Sequence, residues 1–145
     1  MTQMIFVNLP VKDVVRAEAF YAAIGCVKDA RFSNDAAVSM QYSGEIVFML
    51  LSRDFFQGFT PKQIADATMT SEVLIALSRD SREAVDTIVE KAAAAGGKAD
   101  IRPAQDHGFM YGRSFEDPDG HIFEPIFMDM DAFMTATGQG EPATA

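Results

Sequence analysis

Two histidines, one cysteine and a small set of carboxylates hold most of the reactive chemistry this chain could perform. His107 follows Asp106 and precedes Gly108, in a loop that enters a strand-like stretch. Imidazole is the side chain that changes charge closest to neutrality, so this acid-flanked histidine is a first candidate for proton transfer. His121 opens the last strand-like segment and reads as a structural residue of the turn before it. Glu124 lies inside that segment, among Ile122, Phe123, Pro125 and Ile126, where a carboxylate is either ion-paired or a general base or ligand anchor. The lone thiol, Cys26, excludes an intrachain disulfide and has only Lys28 nearby to stabilise a thiolate, so it reads as a packed residue of a protein in a reducing cytoplasm. Asp117-Pro118-Asp119-Gly120 reads as turn chemistry, because the remaining ligands of a calcium loop are missing. The run Gly108-Phe109-Met110-Tyr111-Gly112 lacks the helix that would aim its amides at a phosphate, and no serine has a positioned histidine.

The elements that must position these residues follow a repeating order. Residues 5–11 are β-rich, and Asp13 caps a helix whose apolar positions Ala17, Phe20, Tyr21 and Ile24 fall at helical spacing. Gly25 closes that helix, and strands are expected over 27–32, 37–42 and 45–51, the last two joined at Ser43-Gly44. Downstream, a strand over 72–78 precedes a helix started by Asp80 with Glu83 three residues on, carrying the stripe Val85, Ile88, Val89, Ala92. Gly96 and Gly97 stop it, and strands over 98–102, 109–116 and 121–128 complete a second βαβββ unit. An internal repeat constrains a fold more than any single element does. Residues 1–51 and 72–134 are therefore read as two modules, joined by a linker over 52–71 and followed by a flexible tail over 135–145. In the linker, Thr60-Pro61-Lys62-Gln63 predicts a short helix over 61–67. Phe55, Phe56 and Phe59, just before it, are too apolar for a free loop, and either cap the core or wall a ligand pocket.

Composition sets the class of partner. With 12 basic against 21 acidic residues the net charge is −9, and no cluster of Lys and Arg offers nucleic acid a basic stripe. The longest apolar run, residues 46–51, is far short of the roughly 20 residues a membrane-spanning helix needs. A small organic ligand, in a soluble cytoplasmic protein, suits these limits better.

The motifs Asn8-Leu9-Pro10-Val11-Lys12-Asp13 leading to Phe20-Tyr21, the doubled βαβββ unit, and Phe115-Glu116-Asp117-Pro118-Asp119-Gly120-His121-Ile122-Phe123-Glu124 resemble the vicinal oxygen chelate superfamily, which contains glyoxalase I, extradiol dioxygenases, and fosfomycin- and bleomycin-resistance proteins. The resemblance implies an α+β fold in which tandem βαβββ modules form an eight-stranded, cupped mixed sheet with helices on the convex side. It also implies a divalent ion (Mn, Fe, Ni or Zn) in the cup, bound from the first, fourth, fifth and eighth strands. Carried over singly, those positions fall on Phe6, on Leu50 (or Met49), on Leu74 (or Val73, with Glu72 a two-residue slip away) and on Glu124. Only Glu124 is a ligand type, and one carboxylate does not hold such an ion tightly, so no metal or other cofactor is expected.

With the Glu124 face taken as concave, Ile122, Ile126 and Met128 share it, and Phe6, Asn8, Ile46, Phe48, Leu50, Leu74 and Ala76 are expected to line the remaining strands. Arg113, Tyr111 and Asn8 are the expected partners of Glu124. The candidate catalytic set is Glu124, His107 and Tyr111; the candidate substrate-binding set is Phe6, Asn8, Phe48, Leu50, Phe55, Phe56, Phe59, Leu74, Arg113 and Ile122. The function implied is a glyoxalase-like protein, with a degraded metal site, that binds a small organic molecule and, where active, isomerises or cleaves it. A metal-free sequestering protein of the bleomycin-resistance type is one alternative. A metal-dependent dioxygenase or lactoylglutathione lyase is the other, if the strand register differs. Open sheet edges and apolar rims further imply a homodimer.

Overall fold

A computed structural model describes residues 1–138. Its elements run β1 (Ile5–Val11), α1 (Val14–Ala23), β2 (Val27–Asp29), a 3₁₀ turn (Ala30–Phe32), β3 (Ala37–Gln41), β4 (Ile46–Ser52), α2 (Arg53–Gln57), β5 (Ile75–Ser78), α3 (Arg82–Ala94), β6 (Lys98–Ala99), β7 (Gln105–Asp106), β8 (Met110–Gly112), β9 (Phe115–Glu116), β10 (Ile122–Met128) and α4 (Met130–Thr137). The strands form two sheets. The first has the order β1-β4-β3-β2, with β1 parallel to β4. In the second, β10 is central, parallel to β5 on one edge and antiparallel to β9 and then β8 on the other. β9 and β8 in turn pair with β6 and β7.

Helices α1 and α3 lie against the first and second sheets respectively, and touch each other. Alternation sends Leu9 and Val11 of β1, Val38 and Met40 of β3, and Leu77 and Phe123 of β5 and β10 into the layer between helices and sheets. Aromatic rings join the two halves there: Phe48 meets Phe123 edge-on at 5.4 Å, and Phe115 stacks on Phe123 at 5.1 Å. Tyr21, wholly buried, touches both Phe48 and Phe123.

Several local expectations need correction. Asp13 does cap α1, accepting from the amides of Val15 and Arg16, and Gly25 (φ 110°) does end it. The cap of α3 is Ser81, whose hydroxyl accepts from the Ala84 amide at 3.0 Å, so Asp80 lies outside the helix. β2 stops at Asp29 because that carboxylate caps the 3₁₀ turn that follows. The linker helix is α2, which starts eight residues earlier than the expected 61–67. There Ser52 is the cap, while Gln57 donates to the carbonyls of Thr60 (3.0 Å) and Lys62 (2.8 Å) and Arg53 to those of Ile64 and Ala65. Carbonyls held by side chains in this way are not free to accept helical amides. The long strands expected in the second half are interrupted: β6 ends where Asp100 turns left-handed (φ 54°), and β8 and β9 are split at Arg113-Ser114. α4 crosses the boundary drawn at residue 135, and residues 139–145 of the expected tail lie outside the described residues. Among the described residues no helix is long and apolar enough to cross a membrane.

Candidate functional site

On the face of the sheets away from α1 and α3, the strand ends and the linker enclose a cleft of about 330 Å³. Asn8 and Pro10 of β1 form one wall, Ile122 and the Gly120-His121 turn another. Phe56 of α2 and the linker residues Ile64, Ala67 and Val73 close it over, with Lys62, Gln63 and Glu72 at its edge. The β1 alternation explains the wall: Leu9 and Val11 go to the core, so Asn8 and Pro10 must face the other way. The turn is held by buried Asp117, which accepts from the amides of Asp119 and His121 and from the Tyr21 hydroxyl at 2.7 Å. His121 Nε2 lies 2.9 Å from the Pro10 carbonyl, and Asp119 accepts from the Lys12 amide, so the start of β10 is fastened to the end of β1.

A smaller concavity, about 180 Å³, lies farther along β10 and is lined by Ala76, Arg102, Pro103, Met110, Glu124 and Ile126, among others. Glu124 pairs with Ala76 across the sheet and sits on the same face as Ile122, so the two hollows are neighbours along one strand. Arg102 Nη2 donates to Glu124 Oε2 at 2.8 Å.

That partner was not among those expected. Arg113, although its residue borders the smaller hollow, gives its guanidinium to Asp100 and to Asp86 of α3. The Tyr111 hydroxyl donates to Asp86 at 2.6 Å, so both side chains engage the helix side rather than Glu124. These bonds hold the carboxyls of Asp86 and Asp100 below the usual range; for Asp86 the Tyr111 bond is the larger cause, for Asp100 the Arg113 pair. The same bond and burial raise the Tyr111 phenol. His107 stacks on Phe109 and borders neither hollow, while its neighbour Asp106 is held far below the carboxylate range by Arg82. Burial pushes the Cys26 thiol up to about 12, which fits an unreactive packed residue.

Of the expected binding residues, Asn8, Phe56 and Ile122 line the cleft. Phe48 and Leu50 do not: pairing of Leu9 with Leu50 turns both into the helix-side core, where they are fully buried. Phe55 and Phe59 form an edge-on pair at 5.2 Å beside the cleft, both exposed. Phe6 (55% exposed) and Leu74 (58%) lie outside both hollows, with Leu74 preceding β5. Sequence reasoning missed Arg102 and the part of the linker wall beyond Phe56, because residues 60–73 mix polar, charged and apolar types with no period that marks a face.

The fourth-strand ligand position now falls on Met49, which pairs with Asn8. The metal positions of the resembled superfamily are thus Phe6, Met49, Leu74 and an ion-paired Glu124. Thioether and hydrocarbon side chains supply no oxygen or imidazole donor, so this set does not fit a catalytic divalent ion. Among the described residues no three His, Cys, Asp or Glu side chains group closely enough to hold one.

Comparison with known proteins places the fold. No family model matches the chain and no curated protein matches it. Among solved structures, a hypothetical protein from S. aureus is 29% identical over 88% of this chain and 94% of its own, with TM-score 0.73. A glyoxalase/bleomycin resistance protein/dioxygenase family enzyme from Burkholderia phytofirmans PsJN is 19% identical, covers 88% and 99%, and has TM-score 0.71. An antibiotic binding protein from Streptomyces sp. CB03234 is 16% identical, with coverage of 88% and 97% and TM-score 0.61. The chain shares the fold of these glyoxalase/bleomycin resistance protein/dioxygenase structures, a mixed α+β architecture with a curled sheet.

Proposed function

We propose that this protein binds a small, largely apolar organic molecule in the cleft between β1, the linker and β10, without the help of a metal ion. We infer also that the two sheets are the halves of one eight-stranded cup, the second built from interrupted strands. The observation that carries the proposal is the cleft itself: about 330 Å³, with a mainly apolar lining and polar side chains such as Asn8 and Gln63 among it. The antibiotic binding protein of the same fold supports it by analogy of architecture.

The test is titration with an environment-sensitive naphthalene sulfonate dye, followed by fluorescence. One saturable site per chain is expected. Ile64→Asp, which places a charge on the half-buried linker wall, should weaken binding at least about tenfold, roughly 1.4 kcal/mol, with the circular dichroism spectrum retained. Absence of saturable binding, or binding indifferent to Ile64→Asp and to Phe56→Ala, would contradict the proposal.

A further inference from the structure

We infer that Arg102 makes the cup selective for molecules that carry a carboxylate, with the apolar body of the ligand in the cleft and its anionic end against the guanidinium. The inference rests on the proposed binding function and adds the substrate class. Three observations converge on it. Arg102 borders the smaller hollow, which adjoins the cleft along the Ile122 and Glu124 face of β10.

The second observation is that its guanidinium is largely unspent. It makes one hydrogen bond, to Glu124 Oε2, and its side chain is 58% exposed. Arg31, Arg82 and Arg113 differ: each holds a carboxylate through two nitrogens, to Asp29, Asp106 and Asp100 respectively. A guanidinium has five N–H donors in a planar fork that matches a carboxylate two-to-two, so Arg102 retains the geometry its counterparts have already used.

Third, Arg102 is held in place by backbone and not only by Glu124. The preceding residues are tied down, with the Asp100 amide donating to the Ser114 carbonyl (2.8 Å) and the Ile101 amide to the Ser114 hydroxyl (3.0 Å). Pro103 follows and restricts the chain on the other side. Glu124, which lines the same hollow, engages one guanidinium nitrogen and leaves the remaining N–H groups for an incoming acid. Against a net charge of −9, the exposed Arg102 guanidinium at the smaller hollow is a local feature that favours an anion there, and Lys62 at the edge of the neighbouring cleft adds a second cation.

The experiment uses two probes of equal shape, 4-phenylbutyrate and its methyl ester, titrated calorimetrically into the full chain, wild type, Arg102→Gln and Glu124→Gln. The wild type should bind the carboxylate at least about tenfold more tightly than the ester, and added sodium chloride should erode that preference. Arg102→Gln should bring the carboxylate down to the level of the ester. Glu124→Gln, which removes the competing acid, should strengthen carboxylate binding. Equal affinity of the two probes for the wild type, or a preference unaltered in Arg102→Gln, overturns the inference while leaving the apolar cleft intact. Carboxylate binding with no ester binding keeps Arg102 and overturns the apolar cleft; failure of both probes at millimolar concentration overturns both.

Discussion

Arg102 and Glu124 pair near the surface, where such an ion pair adds on the order of 0–1 kcal/mol to folding. Arg102→Gln is therefore expected to leave the urea midpoint nearly unchanged, and a large loss of stability would show the pair to be structural. Asp117 is the opposite case. It is buried, accepts three hydrogen bonds, and binds the turn before β10 to α1 through Tyr21. Tyr21→Phe removes the donor to Oδ2 and should cost about 1–3 kcal/mol in urea unfolding. Burial raises the Asp117 carboxyl above its ordinary value, with His121 and Tyr21 opposing the rise. A raised folded-state value means that the stability it contributes is complete below about pH 4 and is lost as pH climbs through that value. Wild-type stability minus that of Asp117→Asn should thus fall between pH 3 and pH 7; a rise would contradict the assignment. Glu124 was legible as the polar residue of the last strand because Asp117-Pro118-Asp119-Gly120 fixes the register. Its partner was not, since the strand is interrupted between β6 and β7, where left-handed Asp100 turns the chain and Arg102 meets Glu124.

At the scale of elements, the linker decides whether a cleft exists at all. It contacts β1 and β4 as α2 and then runs as irregular chain with a turn at 67–69, its carbonyls held by Arg53 and Gln57. Gly120 is where it meets the turn before β10: φ is 93°, and a Cβ there would come within 2.6 Å of the Ala67 carbonyl. Gly120→Ala should push residues 67 and 68 away, lowering stability by about 1–3 kcal/mol and weakening dye binding together. Loss of stability with dye affinity unchanged would show that this contact does not shape the cleft. Helices α1 and α3 were readable from their apolar stripes, and α1 also from its Asp13 cap. β4 was not readable by face: in Ile46-Val47-Phe48-Met49-Leu50-Leu51 every residue is apolar, so alternation is silent and only pairing with β1 shows that Phe48 and Leu50 belong to the core. Thr60-Pro61 misled for a related reason, because side chains from α2 outcompeted the helix for its carbonyls.

Taken whole, the chain leaves several apolar side chains uncovered: Phe6 on the sheet face away from its helices, Ile5 at the start of β1, Val73 and Leu74 just before β5, and Phe55 and Phe59 at and just after α2. An apolar surface of this kind is costly in water, and we propose that a second copy covers it. Sedimentation at micromolar concentration should then show a species of twice the 15.8 kDa chain mass, shifted toward monomer by Phe6→Asp; a single 15.8 kDa species would contradict this. The central claim is that a fold often built around a divalent ion works here as a metal-free cup, since Phe6, Met49 and Leu74 stand where ligands would be and Glu124 is held by Arg102. The most direct test is dye titration in excess EDTA, repeated without EDTA and with manganese, nickel or zinc in excess over protein, for the wild type and Glu124→Gln. The account predicts affinities within about twofold in every condition, because an ion that is not bound cannot alter binding by mass action. A gain of about tenfold or more with one metal, abolished by Glu124→Gln, would contradict it.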